Sequence, residues 1–267
     1  MRWRDSTFCS LDLETTGLDR ARDGIVELGL AVFEKGRCTG AEGHLCNPGI
    51  PIPKAASAIH GLEDTDVSDK PPPGLVLSLH LPLLTRYPLV GYNLLSFDLE
   101  LVLRELRARG VYFTPVAVDV FSFVSWHLRS WRERKLTTLC AHHGIDLPRA
   151  HSAAADAKAC GELALRLVAQ GLIPDDVPQA AAESVELRRR LDAERARYGH
   201  WLYADRQDPR VLRLGCGEQQ GRALEEDVAA GFCRWALRKA GGELPAEVQQ
   251  LFSARADAHL QEASAHA

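Results

Sequence analysis

Strand-like segments crowd the first fifty residues, and this constrains the fold more than any other feature of the chain. TFCSLDL at 7–13 is a short apolar run that stops at the turn-prone TTG. GIVELGLAVF at 24–33 is a second strand, and residues 37–46 make a third, with Gly36 at the turn between them. Beyond that point the pattern changes. The Pro-bearing stretch 47–53 and KPPPG at 70–74 are breaks; residues 54–60 predict a short helix ending at Gly61, and 75–86 a helix interrupted by Pro82. PLVGY at 88–92 predicts a buried strand leading into an amphipathic helix over 94–109, closed by Gly110. A short strand at 116–119 precedes helices at 120–130, 136–143 and 153–170, the last closed by Gly171. Strands first, then strands alternating with helices, predict an α/β fold with a mixed sheet covered by helices.

The 267 residues suffice for one medium domain and a smaller module. IPDDVPQ at 173–179 carries two prolines and no apolar period, which places a boundary there. The expected organisation is a domain over 1–173, a linker and charged connector helix over 174–199, and a small C-terminal α+β module over 200–267. A net charge of −4 excludes a whole-molecule basic field for gripping nucleic acid and leaves a local basic groove open. No run approaches the ~20 apolar residues of a membrane span. The opening MRWRDSTFCSLDLE meets acidic residues before any apolar stretch, so no secretory signal is expected. Seven cysteines, an odd number without a CxxC pair, argue against a disulfide framework or zinc knuckle and for a reducing, cytoplasmic setting.

Four acidic residues stand where this pattern puts strand and helix ends. Asp12 and Glu14 close the first strand; a period of two puts both carboxylates on one face and Leu11 and Leu13 on the other. Adjacent carboxylates repel unless a cation neutralises them, although an isolated DxE is commonly just a solvated strand end. Asp98, in GYNLLSFDL, falls near the first turn of the next helix, where the helix dipole alone would also favour it. Asp156, in HSAAADAKA, lies one turn into a helix that Ser152 can cap, with His151 just before the cap. Five residues of continuous helix rotate by about 500°, so only a His151 outside the cap can swing back over Asp156. Four hard carboxylates suit a pair of Mg²⁺ or Mn²⁺ ions, which stabilise attacking and leaving oxygens at phosphorus, and the imidazole then serves as general base on water.

FCSLDLETTG at 8–17, GYNLLSFD at 91–98 and HSAAAD at 151–156 resemble, in order and spacing, the three motifs of DEDDh (DnaQ-like, exonuclease X-like) 3′–5′ exonucleases. The resemblance covers about 1–172 and implies a ribonuclease H-like mixed sheet flanked by helices. It implies two Mg²⁺ ions, with Mn²⁺ able to substitute: Asp12, Glu14 and Asp156 on the first, Asp12 bridging to the second, and Asp98 on that second side. It makes His151 the general base and the product a nucleoside 5′-monophosphate cut from a 3′ end. Thr15 and Thr16 resemble residues that touch the terminal nucleotide, against turn formation before Gly17 as the other reading. Phe97 is placed by the resemblance on the substrate end or in the core, and His60, in IHGL, near the 3′ terminus or simply at a helix end.

The implied partner is single-stranded or 3′-ended DNA, with RNA as the alternative and a non-catalytic binding subunit on the same scaffold as a reading of another class. Trp126, Arg129, Trp131, Arg132, Arg134 and Lys135 interleave aromatics with positive charge, as a base-stacking surface or as the solvated edge of a half-buried helix. The ten histidines include His142 and His143, but their spacing predicts no zinc site. In the C-terminal module, GCGEQQG followed by FCRWAL with Trp235 resembles a small module of exonuclease X-like proteins, but Glu218, Gln219 and Gln220 stand where lysines are expected. A polymerase or sliding-clamp partner is hinted at by QQLF at 249–252; its leading glutamine is missing at Val248, so an amphipathic helix is the better reading.

Overall fold

Alternation along the first strand sorts its side chains between two layers. In the computed structural model, which describes residues 1–147 and 150–265, β1 (Thr7–Thr15) pairs antiparallel with β2 (Ile25–Glu34), and β2 with β3 (Arg37–Leu45). Cys9, Leu11 and Leu13 join Leu28 and Leu30 in one apolar cluster. Phe8, the residue before Cys9, faces the other way and stacks on Phe33 at 4.7 Å, with Trp3 edge-on to Phe8 at 5.1 Å.

Four short helices follow: α1 (Lys54–His60), α2 (Asp64–Val67), α3 (Pro73–Leu79) and α4 (Leu81–Arg86). Gly61, at φ 77°, ends α1 as expected of a left-handed cap. The break expected at Pro82 falls at His80, because Pro82 sits in the first turn of α4, where its missing N–H is not needed. The sequence pattern did not reveal α2, a single turn closed by a reciprocal capping box between Glu63 and Asp66.

β4 (Leu89–Gly91) runs parallel to β1, and β5 (Ala117–Asp119) parallel to β4, giving a five-stranded mixed sheet of order β3-β2-β1-β4-β5. α5 (Asp98–Arg107) begins at Asp98 rather than at 94, because Asn93 is left-handed (φ 70°) and Phe97 leaves helical geometry (φ −137°, ψ −77°). Leu99, Leu101, Val102 and Leu106 of this helix pack into the same apolar cluster as Leu11 and Leu13, together with Val76 and Leu77 of α3. α6 (Val120–His127), α7 (Leu136–His143) and α8 (Ala153–Ala169) follow.

The opposite face of the sheet is covered by α8, which lies against β1, β2 and β3. Two glycines allow the approach. A Cβ on Gly29 would stand 2.0 Å from the Ala153 carbonyl carbon, and one on Gly161 would stand 2.2 Å from the Phe33 ring. The small residues of AAADAKA thus meet a sheet that is itself pared down where the helix begins.

The chain forms two compact units, one of residues 1–127 and 134–187, the other of 128–133 and 188–267. α9 (Val177–Tyr198) takes up nearly all of the segment expected to hold a linker and a connector helix, with Pro178 tolerated in its first turn. The first unit holds the residues before it closely: Trp3 Nε1 donates to the Pro174 carbonyl at 2.9 Å, and the Val177 N–H to the Met1 carbonyl at 3.0 Å. Ala180, Ser184 and Leu187 are buried.

The second unit pairs β6 (Leu202–Ala204) antiparallel with β7 (Leu212–Leu214) and adds α10 (Asp227–Ala240) and α11 (Ala246–Ala265). Its core contains Leu202, Leu214, Cys233, Val248 and Phe252. Phe252, the last residue of QQLF, is fully buried in this core, so the segment is helix and not a displayed peptide. Arg129 is buried too: its Nη1 donates to Glu194 Oε2 and to the Ala204 carbonyl, each at 2.9 Å, and its guanidinium lies over the Tyr203 ring. Gln220, at one of the positions where lysine was expected, donates instead to the carbonyls of Arg129 and Trp131. Among the described residues no helix is long and apolar enough to cross a membrane.

Replacing Gly29 by valine sets a side chain against the backbone of α8, a contact that no rotamer change relieves. The expected cost is about 2–3 kcal/mol. A drop in melting temperature of roughly 5–10 °C by calorimetry is the corresponding readout.

Candidate active site

The parallel strands are unequal in length, and the site lies where the short one stops. β4 pairs with β1 only at Cys9↔Leu89 and Ser10↔Val90, while β1 continues to Thr15. Past that point the β1 backbone is met by a side chain: the Leu13 N–H donates to Asp98 Oδ1 at 3.1 Å. Asp98, the first residue of α5, is 4% exposed. The carboxyl ends of parallel strands are where open α/β sheets receive ligands.

Asp12 and Glu14 point to the α8 side, opposite Gly29 and Glu27 in the β1–β2 register. Glu27 Oε2 accepts the Ala153 N–H at 3.1 Å, taking the capping role expected of Ser152, whose side chain makes no cap bond. Asp156 occupies the first turn of α8, and its Oδ2 accepts the His151 N–H at 2.9 Å. His151 adopts left-handed backbone (φ 65°), which doubles the chain back before the helix. One ligand atom each from Glu14, His151 and Asp156 then lies within 4.8 Å of the others, with His151 the exposed member.

Burial and mutual repulsion dominate the electrostatics. Asp12 is held well above the usual carboxylate range, first by burial and then by Asp98, Asp156, Glu14 and Glu27. Glu14 is pushed up to about 8 by burial, with Asp156, Glu27 and Asp98 adding to it. Asp98 rises to about 7, again mainly through burial; the buried Asp119 adds to this and the Leu13 N–H opposes it. Asp156 also rises through burial, against the pull of the His151 N–H. The donor set, carboxylate oxygens with one imidazole, fits a hard divalent cation, whose charge would relieve this repulsion.

Of the other expected residues, Thr15 is buried and its hydroxyl donates to the Gly17 carbonyl at 2.7 Å. The Thr16 hydroxyl donates to Asp23 Oδ1 at 2.8 Å and accepts the Gly24 N–H at 3.0 Å, so it also organises the turn. Phe97 is half-buried against the α5 cluster. His60 is buried at the end of α1, with Nδ1 accepting the Leu62 N–H at 3.1 Å. Burial lowers its pKa, and both Glu27 and His151 act on it electrostatically, which places it beside the acidic cluster.

Sequence reasoning missed Glu27 and Asp119. Glu27 was visible as the one charge inside the apolar run IVELGLAVF, and Asp119 as an acid closing a short buried strand. Asp119 Oδ1 accepts the N–H groups of Asn93 and Phe121 at 3.1 and 3.0 Å, fixing the turn that leads to Asp98.

A mixed sheet in this order, flanked by helices, is a ribonuclease H-like fold. The RNase T family of exonucleases matches residues 9–164, more than half of the chain, and the chain belongs to that family. Curated relatives include a PolC-type DNA polymerase III of Caldanaerobacter subterraneus, 26% identical over 61% of this chain and 12% of that protein. A DNA polymerase III subunit epsilon-like protein of Rhodobacter capsulatus is 31% identical over 61% of this chain and 24% of that protein. The chain thus spans only a small part of the length of these relatives. Among solved structures, exonuclease X in complex with 5′ overhanging duplex DNA superposes with a TM-score of 0.54 at 20% identity, over 66% of this chain and 99% of that one. Escherichia coli exonuclease I in complex with a dT13 oligonucleotide gives 0.53 at 22% identity, over 61% and 41% of the two chains.

A carboxyl group with a raised folded pKa binds its proton in the folded state after the unfolded chain has lost it. With no divalent cation, Glu14 therefore costs stability as pH rises from 4.5, its ordinary value, to about 8. Asp98 acts in the same direction between 3.8 and about 7. Melting temperature in EDTA should fall as pH is raised through this window, and Mg²⁺ should flatten the decline.

Proposed function

We propose that the chain is a metal-dependent 3′–5′ exonuclease that releases nucleoside 5′-monophosphates from the 3′ end of DNA. The observation that carries this reading is the convergence of Asp12, Glu14, Asp98 and Asp156 at the carboxyl ends of β1 and β4, with an exposed His151 beside them. Asp12, Glu14 and Asp156 would hold one divalent ion and Asp12 and Asp98 a second; such ions supply charge stabilisation at the phosphorus and a more acidic water. Mg²⁺ is the favoured ion, with Mn²⁺ able to replace it.

His151 takes the proton of the attacking water on an imidazole nitrogen, and its N–H bond to Asp156 fixes its place in the chain. The P–O3′ bond to the preceding nucleotide breaks, leaving the phosphate on the departing 5′-mononucleotide. Thr15, Thr16, His60 and Phe97 line the approach to the terminal nucleotide. DNA as substrate is favoured by the complexes of exonuclease X and exonuclease I with DNA, and proofreading-type trimming by the polymerase III relatives. On this reading the chemistry belongs to the segment through Ile173; residues 174–199 link it to the small module of 200–267, which carries none of the named site residues. The free thiols fit a cytoplasmic setting.

Release of mononucleotides from 3′-labelled single-stranded DNA and RNA in Mg²⁺ tests the reading and the choice of nucleic acid together. His151→Ala should lower kcat by roughly 10²–10⁴-fold with binding retained, since only proton transfer is removed. Asp12→Asn should abolish cleavage and, by removing a repelled buried carboxylate, raise the metal-free melting temperature. Cleavage that survives EDTA would overturn the reading, and binding without cleavage would make the chain a non-catalytic subunit.

A further inference from the structure

A second group of metal-ligating side chains lies at the outer edge of the sheet. β3 is an edge strand, and Glu42 and His44, two residues apart on it, share one face. His80, at the junction of α3 and α4, brings its imidazole against that of His44, with ring centroids 4.1 Å apart and planes tilted by 43°. Among the described residues, His44 Nε2 is closed off from solvent and has no hydrogen-bond partner; Glu42 Oε1 lies 3.6 Å away. Buried polar nitrogens are rarely left in that condition without a ligand or water to satisfy them. One ligand atom from each of Glu42, His44 and His80 lies within 4.8 Å of the other two.

We propose that Glu42, His44 and His80 form a binding site for a zinc-class divalent cation, separate from the acidic cluster and independent of the nuclease reading. Two imidazoles and a carboxylate are a zinc donor set, with water completing a tetrahedron, whereas Mg²⁺ prefers oxygen ligands and gives up its water reluctantly. Ligand atoms about 2.0–2.2 Å from a tetrahedral ion stand roughly 3.4 Å apart, so the cluster must close slightly. The Glu42 side chain, 64% exposed, can supply that movement. A bound ion would pin the edge strand β3 to the α3–α4 junction. The ligands come from positions 42, 44 and 80, brought together by the fold, so the proposal departs from the expectation that no histidine spacing makes a zinc site.

The experiment uses the full chain carrying Asp12→Asn, Glu14→Gln and Asp156→Asn, so that the acidic cluster no longer takes up transition metals. Zn²⁺ titrated by calorimetry should bind at one equivalent per chain, Co²⁺ should give the intense visible absorption of a tetrahedral site, and millimolar Mg²⁺ should not compete. His44→Gln or His80→Gln, added to this background, should weaken Zn²⁺ binding by roughly 100-fold or more, beyond the loss typical of an outer-shell change. No Zn²⁺ uptake in the background protein, or uptake undiminished by both histidine changes, overturns the proposal. Should a histidine variant fail to fold in EDTA, imidazole ¹⁵N spectra of the background protein decide. Zn²⁺ must then shift two histidine rings together, and unshifted rings overturn the site.

Discussion

Like charges forced together at the end of one strand are the constraint on which the rest of the first unit depends. β1 carries Asp12 and Glu14 on a single face, and the fold closes Asp98, Asp156 and Glu27 around them instead of spreading them over the surface. Asp12, Glu14, Asp98 and Asp156 would each be more comfortable in water. Their burial is imposed by the apolar packing on the other face of the same strand, where Leu11 and Leu13 lock into the α3 and α5 cluster. The site is thus held by a core that gains nothing from it, which is the usual way a destabilised functional cluster persists.

Backbone hydrogen bonds do the fine positioning. The Leu13 N–H holds Asp98, the His151 N–H holds Asp156, and Glu27 holds the first N–H of α8. The first joins α5 to β1 and the third joins β2 to α8, while the second ties α8 to the turn before it, so β1, β2, α5 and α8 meet around one point. The glycine at position 29 is the complement of these bonds, since α8 can start over β2 only where no side chain stands.

The four carboxylates and His151 were legible because strand period and helix caps are local properties that a sequence displays directly. The boundaries that shifted did so for non-local reasons. α5 starts at Asp98 because Asn93 and Phe97 obey the turn tied to Asp119, and α9 starts at Val177 because the segment before it is held by Trp3. Glu27 escaped notice since its partner, the Ala153 N–H, is a hundred and more residues away. Arg129 reads as a surface cation from its basic neighbours, while its actual partner Glu194 lies 65 residues further along the chain, on α9. In each case the deciding contact joins segments whose register no periodicity can supply.

The membership of Leu128–Glu133 in the second unit has a consequence for biosynthesis. These six or so residues leave the ribosome long before Glu194, Ala204 and Gln220, which hold Arg129 and its neighbours. Domains emerging in order can fold in order only when each is continuous. Here the connection between α6 and α7 gains these partners only once most of the last third of the chain has been made. For the same reason a single proteolytic cut within α9 would sever the chain without freeing the C-terminal fragment, which would keep its grip on a piece of the N-terminal one.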